Sequence, residues 1–135
     1  MYKNILVPIA LDGEDDRAAH AISVAKKLAD DGARITLLHV VEAVPSYAIS
    51  YISADIIAAT RKAIDDEMER IASEAGAVAA VIEGHSGRSI LDYAEEHSPD
   101  LIVVASHRPG MQTLLLGSTA THVVRHANCA VHVLR

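Results

Sequence analysis

Residues 101–124 read LIVVASHRPGMQTLLLGSTATHVV. Leu101 to Val104 form an aliphatic run of the kind that suits a strand buried on both faces, and Ala105 extends it. A small and polar stretch then leaves the strand, and Gly117-Ser118-Thr119 opens a helix over residues 118–126. A buried strand that feeds a helix through such a stretch is the repeating unit of a parallel sheet covered by helices.

The same alternation runs through the whole chain. Ile5 to Leu11 reads as a first buried strand, and Asp12-Gly13-Glu14-Asp15-Asp16 as a turn and an acidic helix start. Ala18, Ala21, Ile22, Ala25 and Leu28 fall on one helical stripe, with Gly32 expected to end that helix. Ile35 to Val41 is the second strand, and residues 42–54 have no clean period and read as a loop. Asp55 to Ala75 predicts a helix ending at Gly76, and Ala77 to Ile82 a third strand. Gly84-His85-Ser86-Gly87 reads as a turn, with Ser86 the N-cap of a helix that runs through Glu96 and buries Ile90, Leu91 and Ala94. Pro99-Asp100 breaks that helix before the strand at 101–105, and Ala130 to Leu134 supplies a fifth strand. The order β-α-β-α-β-α-β-α-β, without linkers or repeats, predicts one doubly wound parallel sheet with right-handed crossovers, in a single domain over residues 1–135.

Composition agrees with this. Half of the 135 residues are hydrophobic, yet there is no Phe and no Trp, so Ala, Val, Ile and Leu must fill the core. A formal charge of −6 argues against a nucleic-acid partner, which would require clustered Lys and Arg. The single Cys129 cannot form an internal disulfide. No run approaches the roughly 18 apolar residues of a membrane span, and the N-terminal apolar stretch ends in acids, unlike a signal peptide. The expectation is a cytoplasmic protein with no membrane partner.

In open sheets of this kind, ligands sit beyond the carboxyl ends of the strands, where the strand order reverses. The segments leaving strands one, two and four are therefore the candidates. The first N–H groups of a helix lack partners within it, and the helix dipole favours anions there. Gly117 lets a phosphate approach the backbone, Ser118 and Thr119 add hydroxyl donors, and Arg108 can bind phosphate oxygens in bidentate fashion. On spacing alone, a plain N-cap after a loop remains open.

The residues also carry a resemblance. YKNILVPIALD, ITLLHVVE, EGHSGRSILDYAEEHSPDLIVVASHR and LLLGSTATHVVRHANCAVHVLR together resemble the universal stress protein family over the whole length of the chain. The resemblance implies a Rossmann-like, adenine nucleotide α-hydrolase-like fold with strand order 3-2-1-4-5. It also implies ATP, or AMP or ADP in its place, held by a pattern of Gly, two residues, Gly, nine residues, then Gly-Ser/Thr, with Mg2+ able to accompany the phosphates. Carried over by position, Pro8, Ile9 and Ala10 line the adenine, and Val40 meets its edge through the backbone. Val104 and Ala105 lie near the ribose, while Ser106, His107 and Arg108 face ribose or phosphate. Gly117, Ser118 and Thr119 cradle the phosphates.

The chain departs from the family pattern at three places. Ala105 stands for the first Gly and Arg108 for the second, with eight residues from there to Gly117 instead of nine. Ala10 stands where the nucleotide binders often place Asp, and Asp12 is two residues late. Ser106-His107-Arg108-Pro109 resembles a small-protein subgroup of the family that binds adenine nucleotide, so that Arg108 offsets a lost glycine with charge. The family also forms homodimers through its fifth strand, here residues 130–134, and acts with regulatory protein partners in stress responses. The expected function is an ATP-binding homodimeric stress-response regulator. A nucleotide-free interaction module of the same fold and a slow ATPase are the alternatives.

Other constellations are weaker. There is no Gly-x-x-x-x-Gly-Lys-Ser/Thr and no Gly-x-Gly-x-x-Gly after a strand. Gly84-His85-Ser86-Gly87-Arg88 resembles a nucleophile elbow, but Arg88 occupies the last glycine's place. His122 and His126 have the i, i+4 spacing of a metal pair without a third ligand, so no metal site is expected. The acidic runs at 12–16 and 65–67 lack a calcium-loop pattern and read as a helix start and a solvated helix face. No general base is placed for hydrolysis other than His107, which serves equally as a ribose or phosphate contact.

Overall fold

A computed structural model of the protein describes residues 1–11, 16–106 and 116–135. Its elements in chain order are β1 (Tyr2–Pro8), α1 (Arg17–Leu28), β2 (Ala29–Val41), the short α2 (Ser46–Ile49), α3 (Ala54–Ala75), β3 (Val78–Glu83), α4 (Ser86–His97), β4 (Leu101–Ala105), α5 (Ser118–His126) and β5 (Ala130–Leu134). The five strands pair in the order β3-β2-β1-β4-β5, and every pairing is parallel.

Alternation along each strand divides the core into two layers. Ile5, Val7, Ile35, Leu37, Leu101 and Val103 point to one face, where Ala21, Ile22 and Ala25 of α1 and Met68 and Ala72 of α3 cover them. Leu6, Leu38 and Ile102 point to the other, against Ile90 of α4 and Val123 of α5. Both faces are thus covered at the three central strands β2, β1 and β4, which is why these carry aliphatic runs, while residues of the edge strands β3 and β5 are half-buried or exposed. No helix among the described residues is long and apolar enough to cross a membrane.

Several sequence expectations need correction. β1 ends at Pro8, so Ile9 and Ala10 lie beyond the strand. Gly32 does not end α1. The helix stops at Leu28 with Ala29 already extended, and Gly32 lies inside a 13-residue β2 at φ +77°. The reason is an irregularity in pairing: Tyr2 faces Ala29 but Asn4 faces Arg34, so β2 carries extra residues there, and Gly32 takes the left-handed turn that accommodates them. The stretch at 42–54 is not wholly loop, because α2 forms within it. Gly76 caps α3 in the left-handed conformation at φ 70°, its N–H donating to the carbonyls of Ala72 and Ser73. Of the acidic start at 12–16 only Asp16 lies within the described residues, and its side chain makes no cap bond.

The wet face of α3 is laced by Arg61–Asp65, Lys62–Asp66 and Arg70 with Glu67 and Glu74. The hydrogen bond from Arg70 lowers the Glu67 pKa, and that from Lys62 to Asp66 raises the Lys62 pKa. These carboxylates are already satisfied by cations on their own helix, which accounts for the acidic run at 65–67.

Candidate functional site

Strand order reverses between β1 and β4, since α1 leads from β1 outward to β2 while β4 lies on β1's other side. A cleft of about 550 Å³ opens there, at the carboxyl ends of the strands. Pro8, Ile9 and Ala10 leave β1 into it, Val40 borders it from β2, and Val104, Ala105 and Ser106 from β4. Gly117, Ser118 and Thr119 close it from the start of α5. All ten described residues expected at the site therefore meet at one cleft. His107 and Arg108 lie outside the described residues.

One end of the cleft is fixed by β2. The N–H of Ile9 donates to the Leu38 carbonyl at 2.8 Å, and the Ile9 carbonyl lies 2.8 Å from His39 Nδ1. A carbonyl only accepts, so Nδ1 carries the hydrogen in this contact. Both backbone polar groups of Ile9 are thus satisfied, and the chain leaves β1 in a set direction. Ile9 itself is buried, while Ala10 is exposed at the lip.

The other end is fixed by β5 and by a backbone clasp. Ser106 is buried, and its N–H donates to the Leu134 carbonyl at 2.7 Å. Its own carbonyl accepts the Gly117 N–H, which ties the residue after β4 to the N-cap of α5. Gly117 is the N-cap of α5 with extended backbone and no side-chain cap bond, and its carbonyl takes the Thr121 N–H at 2.9 Å. Helix geometry leaves the N–H groups of Ser118, Thr119 and Ala120 without intrahelical acceptors. Ser118 is exposed and Thr119 half-buried, and both border the cleft together with Ala120 of the same turn.

Sequence reading missed part of the wall. Arg17 and Ala18 of α1, His39 and Glu42 of β2 and the segment after it, and Ser86 and Ile90 of α4 also border the cleft. Ser86 is not the N-cap of α4; His85 is, and Ser86 is the first helical residue, with its Oγ 3.1 Å from Thr119 Oγ1. It borders the cleft because α4 must carry the chain from the edge strand β3 past β2 and β1 to β4. Of the stripe expected from the hydrophobic period, Ile90 is buried while Leu91 and Ala94 are half-buried, and the period did not report the direction of the first turn.

The remaining candidates fall elsewhere. The His122 and His126 rings lie 4.7 Å apart on α5, and the described residues hold no group of three or more His, Cys, Asp or Glu that could bind a metal ion. Cys129 is half-buried and unbridged.

The universal stress protein family model matches residues 1–135. The chain is 37% identical over 142 residues to universal stress protein A homolog 2 of Coxiella burnetii, covering 99% of this chain and 95% of that protein. Among solved structures, universal stress protein UspA from Lactobacillus plantarum superposes with a TM-score of 0.80 at 29% identity, covering 99% of this chain and 98% of that one. A universal stress protein in complex with cAMP matches at 24% identity and TM-score 0.62, covering 99% and 97% of the two chains. A family protein from Arabidopsis thaliana with AMP bound matches at 19% and 0.61, covering 98% and 90%; both likenesses show the shared fold. The chain belongs to the universal stress protein family.

Proposed function

We propose that the cleft between β1 and β4 holds an adenine nucleotide, and that the protein, one domain over residues 1–135, is a cytoplasmic, homodimeric stress-response regulator whose state follows nucleotide occupancy. The carrying observation is the convergence of Pro8–Ala10, Val40, Val104–Ser106 and Gly117–Thr119 on one cleft, with the first turn of α5, whose N–H groups have no intrahelical acceptor, at one end. Family proteins of the same fold have been solved with cAMP and with AMP bound, which supports this ligand class. Aliphatic Pro8, Ile9 and Val40 suit a flat base, and the start of α5 suits phosphate. Arg108 adds charge at the phosphate end, a role that rests on its place in the sequence.

ATP is the proposed ligand, with AMP or ADP using the same base pocket. Mg2+ enters with the phosphates, since the described residues form no carboxylate cage for it. The dimer uses β5, which lies at one end of the strand order and would otherwise present an unpaired ladder. Its regulatory protein partner binds the dimer. Hydrolysis is slow in this reading: Glu42, the one carboxylate among the described lining residues, follows β2 and not the start of α5.

A nucleotide-free interaction module is the second reading, favoured by Ala10, Ala105 and Arg108 standing where the family pattern has Asp and two glycines. Calorimetric titration of nucleotide-stripped protein with ATP, with and without Mg2+, separates the two. Saturable binding by the protein and its loss in Gly117→Val support the nucleotide site. No binding by the unaltered protein establishes the module. Multiple-turnover phosphate release would identify an ATPase.

A further inference from the structure

α4 and α5 cover the same face of the sheet, and their first turns lie side by side at the cleft. Gly87 makes this approach possible. It is buried, and a Cβ added there would stand 3.1–3.3 Å from the Cδ2, Cβ and Cγ atoms of His122, tighter than ordinary packing. With the helices this close, Ser86 Oγ comes within 3.1 Å of Thr119 Oγ1, and both residues border the cleft.

The chemistry of this pair is asymmetric. A hydroxyl has one hydrogen and two lone pairs. Whichever member donates within the pair spends its hydrogen, and the other keeps one to offer outside. When Ser86 donates to Thr119, the Thr119 hydrogen is left for the cleft, strengthened by the bond it accepts. The same bond holds the β-branched Thr119 side chain in one rotamer before any ligand arrives, which lowers the ordering cost of binding. A group that only accepts hydrogen bonds, such as a phosphate, fits this arrangement.

We propose that Ser86 is a positioning residue of the nucleotide site, acting through Thr119 to direct one hydroxyl hydrogen at a phosphate oxygen. This rests on the nucleotide reading above and extends it to a helix outside the β4–α5 segment. It separates the roles of the two ends: β2 and the β1 exit hold the base, while the α4–α5 pair sets the phosphate.

The test is calorimetry of the full-length, nucleotide-stripped protein with ATP and with adenosine, across Ser86→Ala, Ser86→Thr, Thr119→Val and the double variant Ser86→Ala/Thr119→Val. Loss of one positioned hydrogen bond should weaken ATP about three- to ten-fold in Ser86→Ala and leave adenosine unchanged. Ser86→Thr, which keeps the hydroxyl, should restore ATP affinity. The double variant should bind ATP as Thr119→Val does, because Ser86 acts only through Thr119. ATP affinity unchanged in Ser86→Ala, equal losses for ATP and adenosine, or losses that add in the double variant would overturn the proposal. Should Ser86→Ala fail to fold, Thr119→Val carries the same ATP-against-adenosine comparison, and its equal loss of both overturns it. If the unaltered protein binds neither ligand, the nucleotide reading falls and the proposal with it; binding that ignores Ser86 removes the proposal alone.

Discussion

His39 Nδ1 and the carbonyl of Ile9 are joined by a 2.8 Å hydrogen bond between the carboxyl end of β2 and the first residue beyond β1. Because Leu38 holds the N–H of the same residue, the exit of β1 is anchored to β2 twice. His39→Ala leaves the Ile9 carbonyl at the cleft without its side-chain partner. The expected cost is about 1 kcal/mol in chemical denaturation, with adenosine and ATP weakened alike because the base end is affected. A loss confined to ATP would place His39 at the phosphate end instead.

Gly84 sits between β3 and α4 at φ 151°, where a side chain is strained, and a Cβ there would collide with Ser89 Oγ. Gly84→Ala should therefore destabilise the protein by about 1–3 kcal/mol. Adding Ser89→Ala removes the obstructing oxygen but not the backbone strain, so it should recover only part of the loss. Full recovery in a urea midpoint would show that the clash alone matters.

The turn between α4 and β4 holds the start of β1. The Asp100 carboxylate accepts the N–H groups of Lys3 at 2.8 Å and Asn4 at 3.0 Å, and the Asn4 side chain donates to the carbonyls of His97 and Ser98. Asp100→Ala should cost about 1–2 kcal/mol, and its effect should not add to that of Asn4→Ala, since the two share this turn. Additive losses would mean two independent contacts.

Ser98 caps α4 in the left-handed region at φ 50°, the one non-glycine residue with positive φ among the described residues. Glycine takes that conformation without a Cβ penalty, so Ser98→Gly should raise stability by about 0.5–1 kcal/mol despite its looser unfolded chain. A lowered denaturation midpoint would show that the serine side chain contributes more than its backbone costs.

Burial, and secondarily the Asp100 carboxylate, push the Cys129 thiol above its ordinary pKa. A raised native pKa means that the associated stability is full below the unfolded thiol's pKa and is lost as pH rises through the native value. The rate of alkylation by iodoacetamide should inflect at higher pH in the native protein than in urea, and Asp100→Asn should bring the native inflection down. Coincident inflections in native and unfolded protein would contradict this.

Sequence reading located the elements best where strand and helix signals abut without an intervening compromise. The bounds of β4, α5 and β5 at 101–105, 118–126 and 130–134 are those of the structure. It failed at Gly32, where a glycine that looks like a helix stop instead serves an irregular pairing between β1 and β2. It also failed at Ser86, where a residue typical of N-caps lies one position inside the helix with its hydroxyl on Thr119. In both cases the deciding partner is distant in sequence, so no local pattern could report it.

By itself, the sequence determined the class of the fold and the edge of the sheet where the cleft opens. Aliphatic runs buried on both faces require a parallel sheet under two helical layers, and that topology leaves an open crevice where strand order reverses. The Gly117-Ser118-Thr119 helix start was also visible, because uncapped amides are a local property of the chain. Only the tertiary structure decided which other residues share the crevice. His39 reaches Ile9, Ser86 reaches Thr119, and Arg17 and Glu42 border the same volume because crossover connections bring separate segments together. Periodicity records which face of an element is buried; the approach of two elements is set by the packing of both, here down to the missing Cβ of Gly87 against His122.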